Sequence, residues 1–312
     1  MKRFAVILAL VLTGAGCDEG QQGDRSFQPR VERPAYTDSH PTVLYEDGHK
    51  TPHTSKDKYR AFVELLRKDG YSVRSHQGEF TPSALEKVHV LVIVNAGGTE
   101  KAGEHFPAFT AREYEVIEGW VRGGGSLLLI ADHAPYGLYA AGLARRFGVS
   151  MSGGTTADSL HMDPTGHDET QFLFGVPGLP LGSHPILSGR DDRERVRRVR
   201  TYTGQTLVPP PGATALLPFA STAQDWTLPT GEKLVRARKT GRVEFEGPYP
   251  VRPGACQGLA MEHGRGRLVV LGEAAMLTAQ RLKQSRWGLS EPGSDNQQFA
   301  LNVAHWLSRL LP

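Results

Sequence analysis

The feature that most constrains this chain is a pair of short apolar runs, each followed by an amphipathic stretch. Val88 to Val94 reads VHVLVIV, and Ser126 to Ala131 reads SLLLIA. A strand with one wet face alternates apolar and polar residues. A strand apolar almost throughout is covered on both faces, the usual situation in a parallel sheet. Between the two runs, Thr110 to Val121 predicts a helix: Thr110 caps it, Glu113 completes a capping box, and Gly123 to Gly125 ends it. The same rhythm precedes and follows. Thr42 to Tyr45 (TVLY) predicts a strand, and Lys58 to Lys68 carries Tyr59, Phe62, Val63, Leu65 and Leu66 at helical spacing. Tyr71 to Arg74 predicts another strand, and Leu138 to Phe147 another helix. Strand alternating with helix predicts an α/β protein with a parallel sheet and helices on both faces.

The remainder is less regular. Thr81-Pro82 predicts the start of a short helix, since threonine caps and proline suits the first helical position. Ser150 to Gly254 is richer in proline and predicts further strands with a long excursion over the sheet edge. Gly258 to Glu262 and Arg267 to Leu271 flank His263-Gly264-Arg265-Gly266 and predict a hairpin. Asn296 to Leu310 predicts a closing helix, with Phe299, Val303, Trp306, Leu307 and Leu310 on one face.

The N-terminus has a different character. Lys2 and Arg3 precede the apolar stretch Phe4 to Leu12, which is too short to cross a bilayer of about 30 Å. Residues 1–16 therefore predict a signal peptide, and export to the cell envelope. Cys17 follows the small residues Gly14, Ala15 and Gly16, a pattern that resembles the lipobox of bacterial lipoproteins despite Gly14 standing where leucine is usual. The resemblance implies lipidation of Cys17 and a membrane anchor facing the periplasm or exterior. Cys256 is then the only other cysteine and has no disulfide partner. Residues 17–37 are polar and predict a tether, leaving 38–312 as a single α/β domain. Lys and Arg total 36 against 33 Asp and Glu, which supplies no electrostatic reason to expect a nucleic-acid partner. The basic run Arg190 to Arg200 is diluted by Asp191, Asp192 and Glu194 and predicts a solvated lead into a strand.

In an open parallel sheet, ligands bind beyond the carboxyl ends of the strands. That rule selects Glu46, His49 and His53 after the first strand, Asn95 and Gly97 after Val94, Asp132 and His133 after Ala131, and Glu273 after Leu271. Three carboxylates at one edge would repel, so a proton, a cation or a ligand hydroxyl is needed there. Each residue also has a plainer role. Asp132 and Glu273 could cap the turns that follow them, and Pro52 argues against a helix that would make His49 and His53 a metal pair. If a divalent metal is held, His49, His53 and Asp132 are the candidate ligands. His161, Asp163, His167 and Asp168 form a second polar cluster, either a lid or an exposed loop. The glycine triplet precedes a strand rather than following one, so it lacks the context of a phosphate loop.

Gly123 to His133 (GGGSLLLIADH) resembles the segment leading to the nucleophile elbow of the class I glutamine amidotransferase-like superfamily, trehalose-utilisation-type members included. Gly264 to Met276 (GRGRLVVLGEAAM) is similar to the late strand of related domains in gliding-motility transporter auxiliaries and an intraflagellar transport component. With Asp38 to Thr54 (DSHPTVLYEDGHKTPHT), these segments resemble an uncharacterised bacterial family of that superfamily. The resemblance implies a flavodoxin-like doubly wound sheet. It also exposes a departure: Asp132 or His133 stands where amidotransferases have cysteine, so glutaminase chemistry is not expected. Ser39, Ser126 and Thr155 are available hydroxyls, but nothing in the sequence pairs them with a base. Two classes stay open. One binds a polar ligand such as an envelope saccharide through Glu46, His49, Asp132, His133 and Glu273. The other is a hydrolase with Asp132 or Glu46 as general base and His133 as acid or orienting group, with or without a divalent metal.

Overall fold

The computed structural model describes residues 21–241, 244–282 and 285–312; the signal segment and Cys17 lie outside the described residues. Nine strands form the main sheet. They are β1 (Thr42–Glu46), β2 (Ser72–His76), β3 (Val90–Val94), β4 (Ser126–Ile130), β5 (Ser150–Met151), β6 (Leu207–Val208), β7 (Thr214–Pro218), β8 (Cys256–His263) and β9 (Gly266–Leu271). The order is β2-β1-β3-β4-β9-β8-β6-β5, with β7 also on β8. Neighbours from β2 through β9 run parallel, and the pairs beyond β9 are antiparallel. The expected hairpin is present as β8 and β9.

Helices cover both faces: α1 (Arg60–Lys68), α2 (Ala111–Arg122), α3 (Tyr136–Arg146) and α5 (Asn296–Leu307), while α4 (Gly231–Thr240) belongs to the middle excursion. Strand alternation divides the apolar residues into two cores. Val43, Tyr45, Val92, Leu128, Ile130 and Val269 face α1 and α5. Leu44, Leu91, Ile93, Leu127, Leu129 and Val270 face α2 and α3. Full burial of a side chain such as Phe62, Leu65 or Ile117 stabilises by about 1.5–3 kcal/mol, so these two layers carry most of the stability. The Thr110–Glu113 capping box forms as the sequence predicts.

Two expectations change, and the further strands expected of the middle excursion are present. Thr81 does cap the Ala84 amide at 3.2 Å, but residues 82–87 form turns rather than a helix, and Lys87 at φ +60° stops the segment after one turn. The part of the tether that is described, residues 21–37, lies along the domain instead of hanging free. Gln21–Gly23 pairs with residues 280–282, Asp24 is buried, and Phe27, Val31 and Tyr36 pack on the core. Few apolar residues suffice because polar anchors help, among them Arg33 on Asp191 at 2.6 Å and Lys68 on the Pro29 carbonyl at 2.9 Å. The middle excursion proves β-rich, with a three-stranded sheet of Thr155–Ala157, Gln224–Thr227 and Glu246–Pro250, and a pair formed by Phe172–Phe174 and Val199–Thr201. Arg190, Arg193 and Arg195 pair with Glu194, Asp191 and Asp192, so the basic run is largely neutralised in place. Among the described residues no helix is long and apolar enough to cross a membrane.

Candidate ligand site at the strand ends

Register decides which strand-end residues meet. Ile130 pairs with Val94 on one side and Leu271 on the other, so β3, β4 and β9 end at one level. The next residues are therefore neighbours. Asn95, buried at φ +44°, accepts the Asp132 amide on Oδ1 at 2.8 Å and donates from Nδ2 to His53 Nδ1 at 3.2 Å. Asp132 accepts the amides of His133 and Ala274. Glu273, fully buried, accepts the amides of Ala275 at 2.5 Å and Met276 at 2.8 Å. Both acids thus cap the turns that follow them.

Burial raises the pKa of Asp132 against the opposing pull of His133, and burial together with the Asp132 charge lifts Glu273 well above the carboxylate range. The two acids interact, and burial with like charge disfavours ionising both together. Beside them His53 is pushed down to about 3 by burial, Lys58 and His133, so its ring is neutral. His133 is partly exposed and turns Nδ1 onto the Ala134 carbonyl at 2.8 Å, which leaves Nε2 for a ligand. Two supports escaped sequence reasoning. Gln205 donates to the carbonyls of Ala131 and Asp132 and accepts the Gly153 amide; buried Tyr59 donates to the Ala274 carbonyl at 2.7 Å. Nothing local marks either residue, because both arrive from distant segments.

Glu46 and His49 do not join this group. Leu44 belongs to the α2–α3 core and Tyr45 to the α1–α5 core, so Glu46 follows Leu44 to the face opposite Asp132. There its Oε1 accepts the amides of Gly48 and His49 and faces His49 Nδ1 at 3.0 Å. His49 Nε2 faces Glu113 Oε1 at 2.9 Å, and the ring packs on Phe80 and Phe109. Burial disfavours the imidazolium, but the two carboxylates outweigh it, and His49 titrates above its ordinary value. The expected three-carboxylate convergence is therefore a buried acid pair plus a separate Glu46–His49–Glu113 clamp. Gly97 ties its amide to the His49 carbonyl at 2.6 Å, a loop contact. His49, His53 and Asp132 are not assembled as a metal set, since His49 spends both nitrogens on carboxylates across the sheet from the other two. Among the described residues no group of three or more His, Cys, Asp or Glu is placed to hold a metal ion. Cys256 opens β8 inside the α2–α3 core, and burial pushes its thiol up to about 12.

A cavity of about 300 Å3 lies in the middle excursion, lined by Thr155, Ala157, Met162, Asp168, Glu169, Thr170, Trp226 and Phe245 and by none of the strand-end residues named above. Thr155 pairs directly across from Trp226 and shares its face, while the intervening Thr156 and Asp225 hydrogen-bond on the other face. The cavity wall is stitched to the strand-end loops. Ala134 donates to the Gly154 carbonyl at 3.0 Å, Thr156 to that of Gly204 at 2.9 Å, and the Thr170 and Thr203 hydroxyls lie 3.0 Å apart. The His161–Asp168 loop borders the cavity through Met162 and Asp168. It is held by His161 against Asp158 and by buried Asp163, whose carboxylate pairs with Arg200 at 2.8 Å.

No family model matches this chain, and no curated protein does. Among solved structures, the mmIFT52 N-terminal domain superposes with a TM-score of 0.57 at 17% identity, over 85% of this chain and 96% of that one. The chain shares the fold of that domain. A protein described as ThuA-like from Bacteroides uniformis gives 0.41 at 12% identity over 89% and 93% of the two chains. A cytoplasmic protein from Salmonella typhimurium gives 0.42 at 13% over 85% and 98%. Those two overlaps are too low to argue from, and at 17% identity the first speaks for the mixed α/β fold alone.

Proposed function

We propose that this chain is an exported, lipid-anchored binding protein on a flavodoxin-like, doubly wound frame of the amidotransferase-like kind, and that it takes a small polar ligand of the saccharide class. The cavity whose wall is hydrogen-bonded to the strand-end loops carries this reading, because open α/β sheets bind ligands beyond the carboxyl ends of their strands. Trp226 and Phe245 offer flat apolar faces for a sugar ring, while Asp168, Glu169 and Thr170 offer acceptors for its hydroxyls. Among the described residues no thiolate stands at the strand ends: Asp132 and His133 follow β4, and Cys256 is buried elsewhere. The anchor rests on Cys17 and the apolar stretch before it.

The acid pair supports a second reading. Asp132, its pKa raised by burial, and the adjacent His133 are groups a hydrolase uses, with Asp132 as general acid or base and His133 orienting. Incubating wild type and Asp132→Ala with envelope glycans separates the two. Binding with every glycan left intact supports the binding protein; cleavage by wild type and not by the variant overturns it. For the anchor, radiolabelled fatty acid should be incorporated into wild type and not into Cys17→Ser, and equal labelling would refute it.

A further inference from the structure

The cavity has a charge preference that the strand-end residues do not reveal. Among the described residues its lining holds two carboxylates, Asp168 and Glu169, and no Lys, Arg or His. One Asp168 oxygen is spent on the Thr170 amide and hydroxyl. Among the described residues the Glu169 carboxylate has no hydrogen-bond or ion-pair partner. Around the acids stand Trp226, Phe245 and Met162, surfaces that favour a cation through ring quadrupoles and a polarisable sulfur. The lining holds one more unmet demand. Thr155 is 3% exposed and its Oγ1 has no partner, although buried hydroxyls are normally hydrogen-bonded. A ligand seated against Thr155 and Trp226 would supply that bond.

We infer that the cavity selects a cationic ligand, an ammonium on a body with one apolar face, with the charge toward Asp168 and Glu169, the apolar face on Trp226 and a polar edge toward Thr155. This rests on the cavity reading above and narrows it: a sugar bound here carries an amine, and acidic sugars and phosphates are rejected by like charge.

The test titrates the mature protein with methyl β-glucosaminide, methyl N-acetyl-β-glucosaminide, methyl β-glucuronide and benzyltrimethylammonium, following tryptophan fluorescence at a pH where the amine is charged. Trp226→Phe identifies the responding residue. A charge-assisted contact is worth enough for the glucosaminide to bind about tenfold more tightly than its neutral N-acetyl form, with the glucuronide weakest. Glu169→Gln should abolish most of that preference; it alters no backbone hydrogen bond, so folding is kept. Equal binding of the charged and neutral sugars overturns the cation inference and leaves the saccharide reading standing. Binding of benzyltrimethylammonium with no sugar bound sinks the saccharide reading and keeps the cation. If none of the four binds, both fall.

Discussion

Replacing His53 with asparagine should remove a defined part of the protein's acid lability. The ring is 9% exposed, and its Nδ1 accepts from Asn95, so protonation there would break a bond inside a buried cluster. Burial, Lys58 and His133 depress its pKa from an ordinary 6.5 to about 3. With the folded value depressed, the unfolded chain takes up a proton that the folded protein refuses. Stability from this group is intact above the unfolded pKa and falls as the pH drops from about 6.5 toward 3. Linkage over that window makes the loss between pH 7 and pH 5 about 2 kcal/mol. Asparagine can accept from Asn95 through its Oδ1 and does not titrate. The variant will be less stable at pH 7, because the ring's edge contact with Tyr59 is gone, but that loss cancels when each protein is compared with itself. Urea unfolding followed by circular dichroism at pH 7 and pH 5 gives the two differences. Wild type should lose about 2 kcal/mol more than His53→Asn. Equal losses would mean that His53 is not held neutral, and the buried Asn95–His53 arrangement would be wrong.

Other expectations follow from the same contacts. Glu113→Gln removes one carboxylate from His49 and weakens the α2 cap, at a cost of about 1–2 kcal/mol. Because the folded pKa of His49 is raised, its contribution is complete below about pH 6.5 and fades as pH rises through the folded value; the variant should fade at lower pH. An NMR titration of the ring reads this, and an unchanged midpoint would refute the clamp. In Gly137→Ala the new Cβ would lie 2.3 Å from both amide atoms of Gln205, displacing the brace on Ala131 and Asp132. Overpacking of this kind costs roughly 1–3 kcal/mol, measurable as a lowered Tm, and a neutral effect would show that Gln205 can step aside. Cys256, buried with its thiol near 12, should resist Ellman's reagent in the native protein and react once urea unfolds it; rapid native reaction would restore a thiolate to consideration.

Much of the frame was legible in the residues. The runs at Val90–Val94 and Ser126–Ile130 announced buried strands, and Thr110 with Glu113 announced the start of α2, because such signals arise from contacts within a few residues. The hairpin of β8 and β9 was legible for the same reason. The short helix at Thr81 was not borne out, since one capped turn cannot overcome the cost of nucleation. Residues 21–37 looked solvated because composition counts apolar residues without knowing whether Phe27, Val31 and Tyr36 find a surface.

The candidate site divides along the same line. By itself the sequence determined which acids and histidines follow strands, and that each carboxylate could cap its own turn. Only the tertiary structure decided that Asp132 and Glu273 meet while Glu46 points the other way. That outcome depends on the pairing of Ile130 with Val94 and Leu271, and on which core each alternate residue joins. Trp226 and Phe245 reach one cavity only through pairing across the middle excursion, and Glu169 joins them where its carbonyl accepts the Asp158 amide. Local periodicity places a side chain on a face; register between distant segments determines what it meets there.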